Sequence, residues 1–379
     1  MPSQRVATII QTDTKRPGML RHGDAPRCNV LVTGGAGYIG SHAVLALADA
    51  GWTVTVVDNL VTGLRRAIDR RVHFVDADVA DRGSIGRVIA ERGIGAILHF
   101  AGSVLVPESV IAPLAYFRNN TAATQSLLEA AVAGGVRHFI FSSTAAVYGI
   151  PDRLPVAEDA PLRPINPYGL SKLMTEGVLA CVAAAHPINY GALRYFNVAG
   201  ADPHGRAGQS GIGASHLIKI AAEAACGRRS HVSIYGSDYA TADGTGVRDY
   251  IHVSDLADAH VHALEALIAC PRENLTLNCG YGRGHSVMEV LDAVDRATGG
   301  TLDRRRETRR CGDPHALVAD NRAILQRLPW RPRFDDLDRI VADALAWERT
   351  LRDRCCDRHP GRTLHAVATG YDFVATASS

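Results

Sequence analysis

The feature that most restricts this chain is a glycine-rich turn between a short apolar run and an amphipathic one. Asn29–Thr33 ends in Leu31-Val32-Thr33, Gly34-Gly35-Ala36-Gly37-Tyr38-Ile39-Gly40 follows, and a helical pattern begins at Ser41. Gly35, Gly37 and Gly40 hold the G-x-G-x-x-G spacing. Between a strand and a helix that spacing serves a dinucleotide. The first glycine permits a tight turn, the second lets a pyrophosphate reach the backbone, and the third lets helix and strand pack closely. The N–H groups of the helix start then face the phosphates.

Further runs rich in β-formers lie at Thr53–Asp58, His73–Asp76, Ala96–Phe100, His138–Ser142 and Tyr190–Phe196, with amphipathic stretches such as Ser41–Ala50 and Thr121–Ala133 between them. Strands apolar almost throughout and separated by helices predict a parallel sheet covered on both faces, the doubly wound α/β (Rossmann) class. After Gly200 the texture changes: residues 201–215 are rich in Gly, Pro and Ser, and a less regular α+β stretch runs to about Trp347. The expected organisation is a dinucleotide-binding domain over 28–198, rejoined by a segment near 248–266, and a smaller C-terminal α+β substrate lobe over 199–351. Residues 1–27 read as a disordered leader and 352–379 as a flexible tail.

Asp58 closes the run Val54-Thr55-Val56-Val57-Asp58 roughly twenty residues beyond the glycines, where a carboxylate accepts hydrogen bonds from an adenosine ribose. It would repel a 2′-phosphate, so the expected cofactor is NAD rather than NADP. Asp78, followed by Val79, is placed to meet the adenine edge; a solvated loop aspartate fits the same pattern almost as well.

A second constellation lies in Asn166-Pro167-Tyr168-Gly169-Leu170-Ser171-Lys172, which reads as a capped helix start with Asn166 at N-cap and Pro167 at N1. Tyr168 and Lys172 then share one helix face. An ammonium beside a phenol lowers the phenol pKa from about 10 toward neutrality and makes it a general base. Lysine is rare here, since all basic residues except Lys15, Lys172 and Lys219 are arginine; with 11 tyrosines, only about 0.09 Tyr-x-x-x-Lys matches are expected by chance. Upstream, Phe139-Ile140-Phe141 ends in Ser142-Ser143-Thr144. Ligands of open α/β sheets bind beyond the carboxyl ends of the strands, which puts these hydroxyls at the mouth of the site. One of them is expected to cap the following turn, and Thr144 is the expected catalytic hydroxyl.

A net charge of +2 excludes a chain built around a nucleic-acid field or an anionic membrane surface. No apolar run reaches the roughly 18–20 residues of a membrane span. The eight cysteines form no C-x-x-C pair and no His–Cys metal spacing, and adjacent Cys355 and Cys356 are poor disulfide partners. Reduced thiols, no metal and a cytoplasmic location are therefore expected.

The segments TGGAGYIGSH, VVDN, HFAG, FSSTAAVYG, NPYGLSK, LRYFN and DGTGVRDYIHV occur in this order. Together they resemble the extended short-chain dehydrogenase/reductase family, and within it the UDP-glucose 4-epimerase group, for which DGTGVRDYIHV is close to diagnostic. The resemblance implies NAD-dependent inversion at C4 of a UDP-hexose, interconverting UDP-glucose and UDP-galactose through a transient 4-keto sugar. In that reading Tyr168 takes the proton of the sugar 4-hydroxyl, Thr144 hydrogen-bonds the same oxygen, and Lys172 tunes Tyr168 and binds the nicotinamide ribose. Cofactor contacts are implied for Gly34, Gly35, Gly37, Tyr38, Ile39 and Gly40, and for Asp58, Asn59, Asp78 and Val79. They are also implied for Phe100, Ala101, Gly102, Asn119, Ser142 and Tyr195. Substrate contacts are implied for Asn197, His216, Leu217, Tyr235, Arg248, Arg310 and Asp313, with the two arginines clamping the pyrophosphate, to which a planar fork is suited.

Three positions depart from the family's common pattern or tune it. Val104 stands where many members carry a lysine at the cofactor, His216 stands where an asparagine phosphate contact is common, and Leu317 is intermediate in bulk at a position that gates the pocket for N-acetyl sugars. Plain hexoses are expected, with UDP-xylose/UDP-arabinose and UDP-N-acetylhexosamine epimerisation as alternatives. A 4,6-dehydratase needs an acid pair after the strand-end threonine, where this chain has Ala145-Ala146. A non-catalytic NAD-binding regulator is a further alternative, against which both Tyr168 and Lys172 are intact. The family resemblance also implies a homodimer, to which Thr121–Ala133 is apolar enough to contribute; the same pattern fits a helix buried on its own sheet.

Overall fold

The computed structural model describes residues 27–211, 215–310 and 313–358, with side chains as far as Leu351. The expectations for the leader and for the end of the tail fall outside the described residues.

The first part of the chain runs β1 (Asn29–Thr33), α1 (Tyr38–Asp49), β2 (Val54–Asp58), β3 (His73–Asp76), α2 (Arg82–Arg92) and β4 (Ile94–His99). It continues through α3 (Val106–Ile111), α4 (Pro113–Tyr116), α5 (Ala123–Ala133), β5 (His138–Thr144), α6 (Pro167–Ala185) and β6 (Asn189–Tyr195). Then follow β7 (Asn197–Ala199), α7 (Leu217–Ala225), β8 (Val232–Tyr235), β9 (Val247–Arg248), β10 (Tyr250–His252), α8 (Val253–Ala269) and β11 (Leu275–Cys279). The last elements are β12 (His285–Ser286), α9 (Val287–Thr298), β13 (Arg304–Glu307), β14 (Ala316–Leu317), α10 (Arg322–Arg327) and α11 (Leu337–Arg358).

Seven strands form one parallel sheet in the order β11-β6-β5-β4-β1-β2-β3. This is the doubly wound class expected from the alternation of apolar strands and helices. Because successive side chains of a strand point to opposite faces, each strand feeds two cores. Val32, Val56, Leu98, Ile140 and Leu193 pack with Val44 and Leu47 of α1 and Leu256 and Leu264 of α8. Leu31, Ile97, Phe139 and Phe141 pack on the other face with Ile85 of α2, Leu127 of α5 and Leu179 of α6. Each such fully buried side chain contributes about 1.5–3 kcal/mol of transfer free energy, which is why strands without polar alternation read so clearly.

The structure differs from the expected elements in four places. Helix α1 starts at Tyr38 rather than Ser41, and β5 extends through Thr144. Six residues before α5, Phe117–Ala122, form a π-helical turn. The sheet also gains a seventh strand, β11, from the stretch expected in the second lobe: after β10 and α8 pack back on the first core, the chain pairs beside β6. Its sequence, Leu-Thr-Leu-Asn-Cys, alternates more than the central strands.

The remaining elements surround a separate core of Ile218, Ile234, Val290, Leu291, Ile340 and Val341. Small sheets β12-β9-β14 and β13-β8 complete this part, with Arg248, one of the arginines expected to hold substrate, on β9 and the other, Arg310, beyond the end of β13. No helix among the described residues is long and apolar enough to cross a membrane.

Candidate active site

The glycine turn is built by steric exclusion. Gly34 sits at φ +71°, and a Cβ there would lie 2.5 Å from the Ala101 backbone nitrogen, so the left-handed residue of the turn is Gly34 and not Gly35. At Gly40 a Cβ would lie 2.2 Å from the Gly34 carbonyl oxygen, whereas at Gly37 it would meet only that oxygen, at 3.2 Å. Gly37 is the N-cap of α1 and no side chain caps the first turn. A cradle emptied of Cβ atoms, closed by uncapped helix N–H groups, fits a dinucleotide pyrophosphate. Ile39 is half-buried in the same first turn. The Tyr38 hydroxyl donates to the Gly200 carbonyl at 2.7 Å, tying this turn to the loop that follows β7.

Asp58 accepts the Ala36 N–H at 2.9 Å and the Leu60 N–H at 2.8 Å. It thus holds the glycine turn as well as closing β2. Asn59 donates to Asp78 at 3.0 Å, which brings the two expected adenosine-side residues together, with Val79 buried behind them. Phe100, Ala101 and Gly102 follow β4, where the Phe100 N–H bonds the Thr33 carbonyl and Ala101 lies against Gly34.

The helix start at α6 forms as its residues dictate. Asn166 accepts the Gly169 N–H at 2.8 Å, and Pro167 occupies the first turn. Tyr168 is half-buried there, and its phenol hydrogen-bonds the Thr144 hydroxyl. Burial raises the phenol pKa while the bond to Thr144 lowers it, the first effect being the larger. Thr144 also caps the following turn by accepting the Ala146 N–H at 3.1 Å, so the cap expected of the Ser-Ser-Thr end falls on the residue expected to be the catalytic hydroxyl. Tyr116 packs edge-on against Tyr168, at 6.5 Å between ring centres.

Lys172 is where the expected electrostatics change. Its ammonium donates to the Ser142 carbonyl at 2.9 Å and lies 4.9 Å above the Phe141 ring. It makes no hydrogen bond with Tyr168 among the described contacts, and burial depresses its own pKa to about 8. Lys172 is therefore a titrating group in its own right, in the range where its charge can be switched. Ser142 and Tyr195 join by their hydroxyls across β5 and β6. Asn119, on the π-helical turn, donates to Ser103 at 2.8 Å.

Among the residues expected to hold substrate, Asn197, His216 and Leu217 line one small pocket. Burial lowers the His216 pKa, and its ring meets Gln209 at 2.7 Å. Arg248 on β9 forms an ion pair with Asp313. Arg310 lies 3.8 Å above the Tyr235 ring. Leu317 is buried on β14, in register with Arg248, and Val104 is half-exposed after the Gly102 turn.

Sequence reasoning missed four residues around the site. Asn120 is buried beside Asn119; it accepts the Ser103 N–H at 2.7 Å and donates to Ser171 at 3.0 Å, tying the Gly102 loop to α6. Two consecutive asparagines in a helical pattern were the signal, because they disfavour a regular helix interior. Tyr239 is buried under the Arg309 guanidinium, and its hydroxyl finds no hydrogen-bond partner among the described residues. Behind the catalytic strand ends, Glu176 and Arg194 form a buried ion pair.

The NAD dependent epimerase/dehydratase family matches residues 30–280. A UDP-glucose 4-epimerase of Azospirillum brasilense is 52% identical over 322 residues, covering 85% of this chain and 92% of the relative. The structure is similar to a UDP-glucose 4-epimerase from Stenotrophomonas maltophila with bound NAD and formylated UDP-arabinopyranose, with TM-score 0.83 and 41% identity over 86% of this chain and 100% of that one. It is also similar to a UDP-glucose 4-epimerase from Bifidobacterium longum in complex with NAD+ and UDP, with TM-score 0.81 and 39% identity over 86% and 99% of the two chains.

Proposed function

This chain belongs to the NAD-dependent epimerase/dehydratase family, and on that premise we propose that it interconverts UDP-glucose and UDP-galactose by inversion at C4. The observation that carries the reading is the Tyr168–Thr144 hydrogen bond at the carboxyl end of the sheet, with Lys172 one turn along the same helix. NAD, when bound, supplies hydride acceptance and return at the sugar C4. Gly34, Gly35, Gly37 and Gly40 with Asp58 and Asn59 hold its adenosine and pyrophosphate. Phe100, Ala101, Gly102, Asn119, Ser142 and Tyr195 border the nicotinamide side with Lys172.

Tyr168 takes the proton of the 4-hydroxyl and later returns it to the oxygen of the inverted sugar. Thr144 holds that oxygen in line with the phenol. Between the two transfers the 4-keto sugar turns over, so binding energy must fall on the nucleotide rather than the sugar. Arg248 and Arg310 grip the pyrophosphate, Asp313 sets the Arg248 fork, Tyr235 stacks on the base, and Asn197, His216 and Leu217 line the other wall. Residues 28–198 with 248–266 act as the cofactor domain and 199–351 as the substrate lobe.

The chain acts as a homodimer in galactose metabolism, in the cytoplasm. The apolar residues Val110, Ile111 and Leu114 on α3 and α4, with Leu170 and Met174 on α6, are exposed on neighbouring helices, and a second copy would cover them. Among the described residues Cys28, Cys181, Cys270 and Cys279 are free thiols, which suits a reducing compartment. The reading is tested by converting UDP-galactose and following UDP-glucose with a coupled UDP-glucose dehydrogenase. Absence of product with or without added NAD would overturn it.

A further inference from the structure

Tyr168, Lys172 and Glu176 are spaced i, i+4 and i+8 on α6, so one helix face carries the phenol, the ammonium and a carboxylate. The ammonium and the carboxylate are both buried. Glu176 accepts Arg194 Nε at 3.0 Å and Nη2 at 2.6 Å, a two-point clamp, and accepts the Ser143 hydroxyl as well. Ser143 directly precedes Thr144, and Arg194 directly precedes Tyr195, which bonds Ser142. Register pairs Ser143 with Arg194 and Thr144 with Tyr195. One carboxylate therefore ties the helix bearing the base to the two strand ends bearing its hydroxyl partners.

The other side of Arg194 is anchored too. Its Nη1 donates to the Tyr148 hydroxyl at 3.0 Å and to the Glu158 carbonyl at 3.1 Å. Tyr148 donates onward to Asn278 at 2.7 Å. Both ends of the ion pair are almost fully buried. Removing two charges from water consumes most of what their attraction returns, so such a pair is a weak source of stability. What it supplies is a fixed length and direction between α6 and β5, to which an apolar contact would be indifferent.

We infer that the Glu176–Arg194 pair, with Ser143, is a positioning device that sets the depth of α6 against the strand ends and so holds the Tyr168 phenol and Lys172 ammonium in register with Thr144 and the Ser142 carbonyl. This rests on the proposed epimerase chemistry for its kinetic readout, but not for its structural one. None of the three residues touches the reacting atoms; they act through Tyr168 and Lys172.

The test compares Glu176→Gln with a doubly apolar Glu176→Leu/Arg194→Met variant, both as holoenzymes. The account expects Glu176→Gln to lower kcat by roughly ten- to a hundred-fold with KM for UDP-galactose nearly unchanged. It expects the apolar pair to recover the parental thermal midpoint to within roughly 4 °C while kcat stays low. If kcat recovers together with the midpoint, or if the loss falls in KM, the pair is only structural and the inference is overturned. Should the double variant not fold, Ser143→Ala decides: a several-fold lower kcat at an unchanged midpoint supports the inference, and an unchanged kcat overturns it. A substrate-free readout is ultraviolet titration of Tyr168, taken as the difference from the matching Tyr168→Phe protein. Its midpoint should move in Glu176→Gln by about half a pH unit or more, and no movement would contradict the inference. A parent that titrates normally but does not convert UDP-galactose would contradict the proposed function alone.

Discussion

The phenol of Tyr168 hydrogen-bonds the hydroxyl of Thr144, joining the first turn of α6 to the last residue of β5. A strand end and the start of the helix that follows it thus converge where an open α/β sheet presents its ligand site. The bond also offsets part of the cost that burial imposes on the phenolate. The proposed base and the hydroxyl proposed to orient its substrate oxygen are thus in contact within the fold itself.

Replacing Tyr168 by Phe removes the proton acceptor while leaving its ring packed against Tyr116. Turnover of UDP-galactose is expected to fall by about 10²–10⁴-fold, with retained NAD and thermal midpoint unchanged. Thr144→Val is expected to cost less, on the order of 10²-fold. Steady-state kinetics with the cofactor content measured on the same samples checks both. A Tyr168→Phe protein of undiminished kcat would contradict the assignment.

Lys172 carries the pH dependence. Its pKa is pushed down to about 8 by burial, so the ammonium is complete below that pH and is lost as pH rises through it. Turnover is expected to decline on the alkaline side of about 8. Lys172→Met should turn over slowly at all pH values and lack that alkaline limb. A pH profile of kcat for the two proteins makes the comparison.

The glycine turn separates folding from cofactor binding. Gly40→Ala places a methyl 2.2 Å from the Gly34 carbonyl oxygen, backbone that cannot move aside. A loss of several kcal/mol, or failure to fold, is expected. Gly37→Ala meets only a 3.2 Å contact and should fold with a midpoint near the parent's, yet retain less NAD. Denaturation and cofactor extraction of both variants distinguish the two effects.

Acid should destabilise the protein before most carboxylates titrate. Burial holds His42 and His260 down to about 4 and His99 to about 3. The unfolded chain takes up these protons near pH 6.5, so stability present above that pH is lost as pH falls toward 5. Each histidine then contributes a loss of about 2 kcal/mol over that interval. Asp249, raised to about 6 by burial, works in the opposite direction and offsets about 1 kcal/mol. His262, raised to about 9, stays charged in the folded state throughout, so the protonation of the same ring in the unfolded chain near pH 6.5 offsets roughly another 1 kcal/mol. Urea midpoints between pH 7 and 5 should therefore fall, and a flat profile would contradict the neutral burial of these rings.

Much of the fold was legible because the central strands are apolar on both faces, and the cap at Asn166 and the turn at Gly34 need particular residues. The edge strand β11 was missed because its polar alternation and its position after α8 gave no sign that the chain returns to the first sheet. Tyr168, Thr144 and Lys172 could be found from spacing and strand-end position. The partner of Lys172 could not: it is the Ser142 carbonyl, and a backbone acceptor leaves no residue signature. For the same reason the bond from Tyr38 to the Gly200 carbonyl, 162 residues away, left no sign in the sequence. Arg194 read as one position in an apolar strand, and only the sheet register places it beside Glu176 and Ser143.

The most direct test of the central claim uses UDP-galactose carrying deuterium at C4 of the sugar, incubated with the purified holoenzyme in ordinary water without added NAD. Proton NMR of the products follows both the inversion and the label. The account predicts a UDP-glucose/UDP-galactose mixture with deuterium retained at C4, because the hydride leaves and returns within one site while Tyr168 moves only the hydroxyl proton. Inversion with the label washed into solvent, or no inversion with NAD supplied, would contradict it.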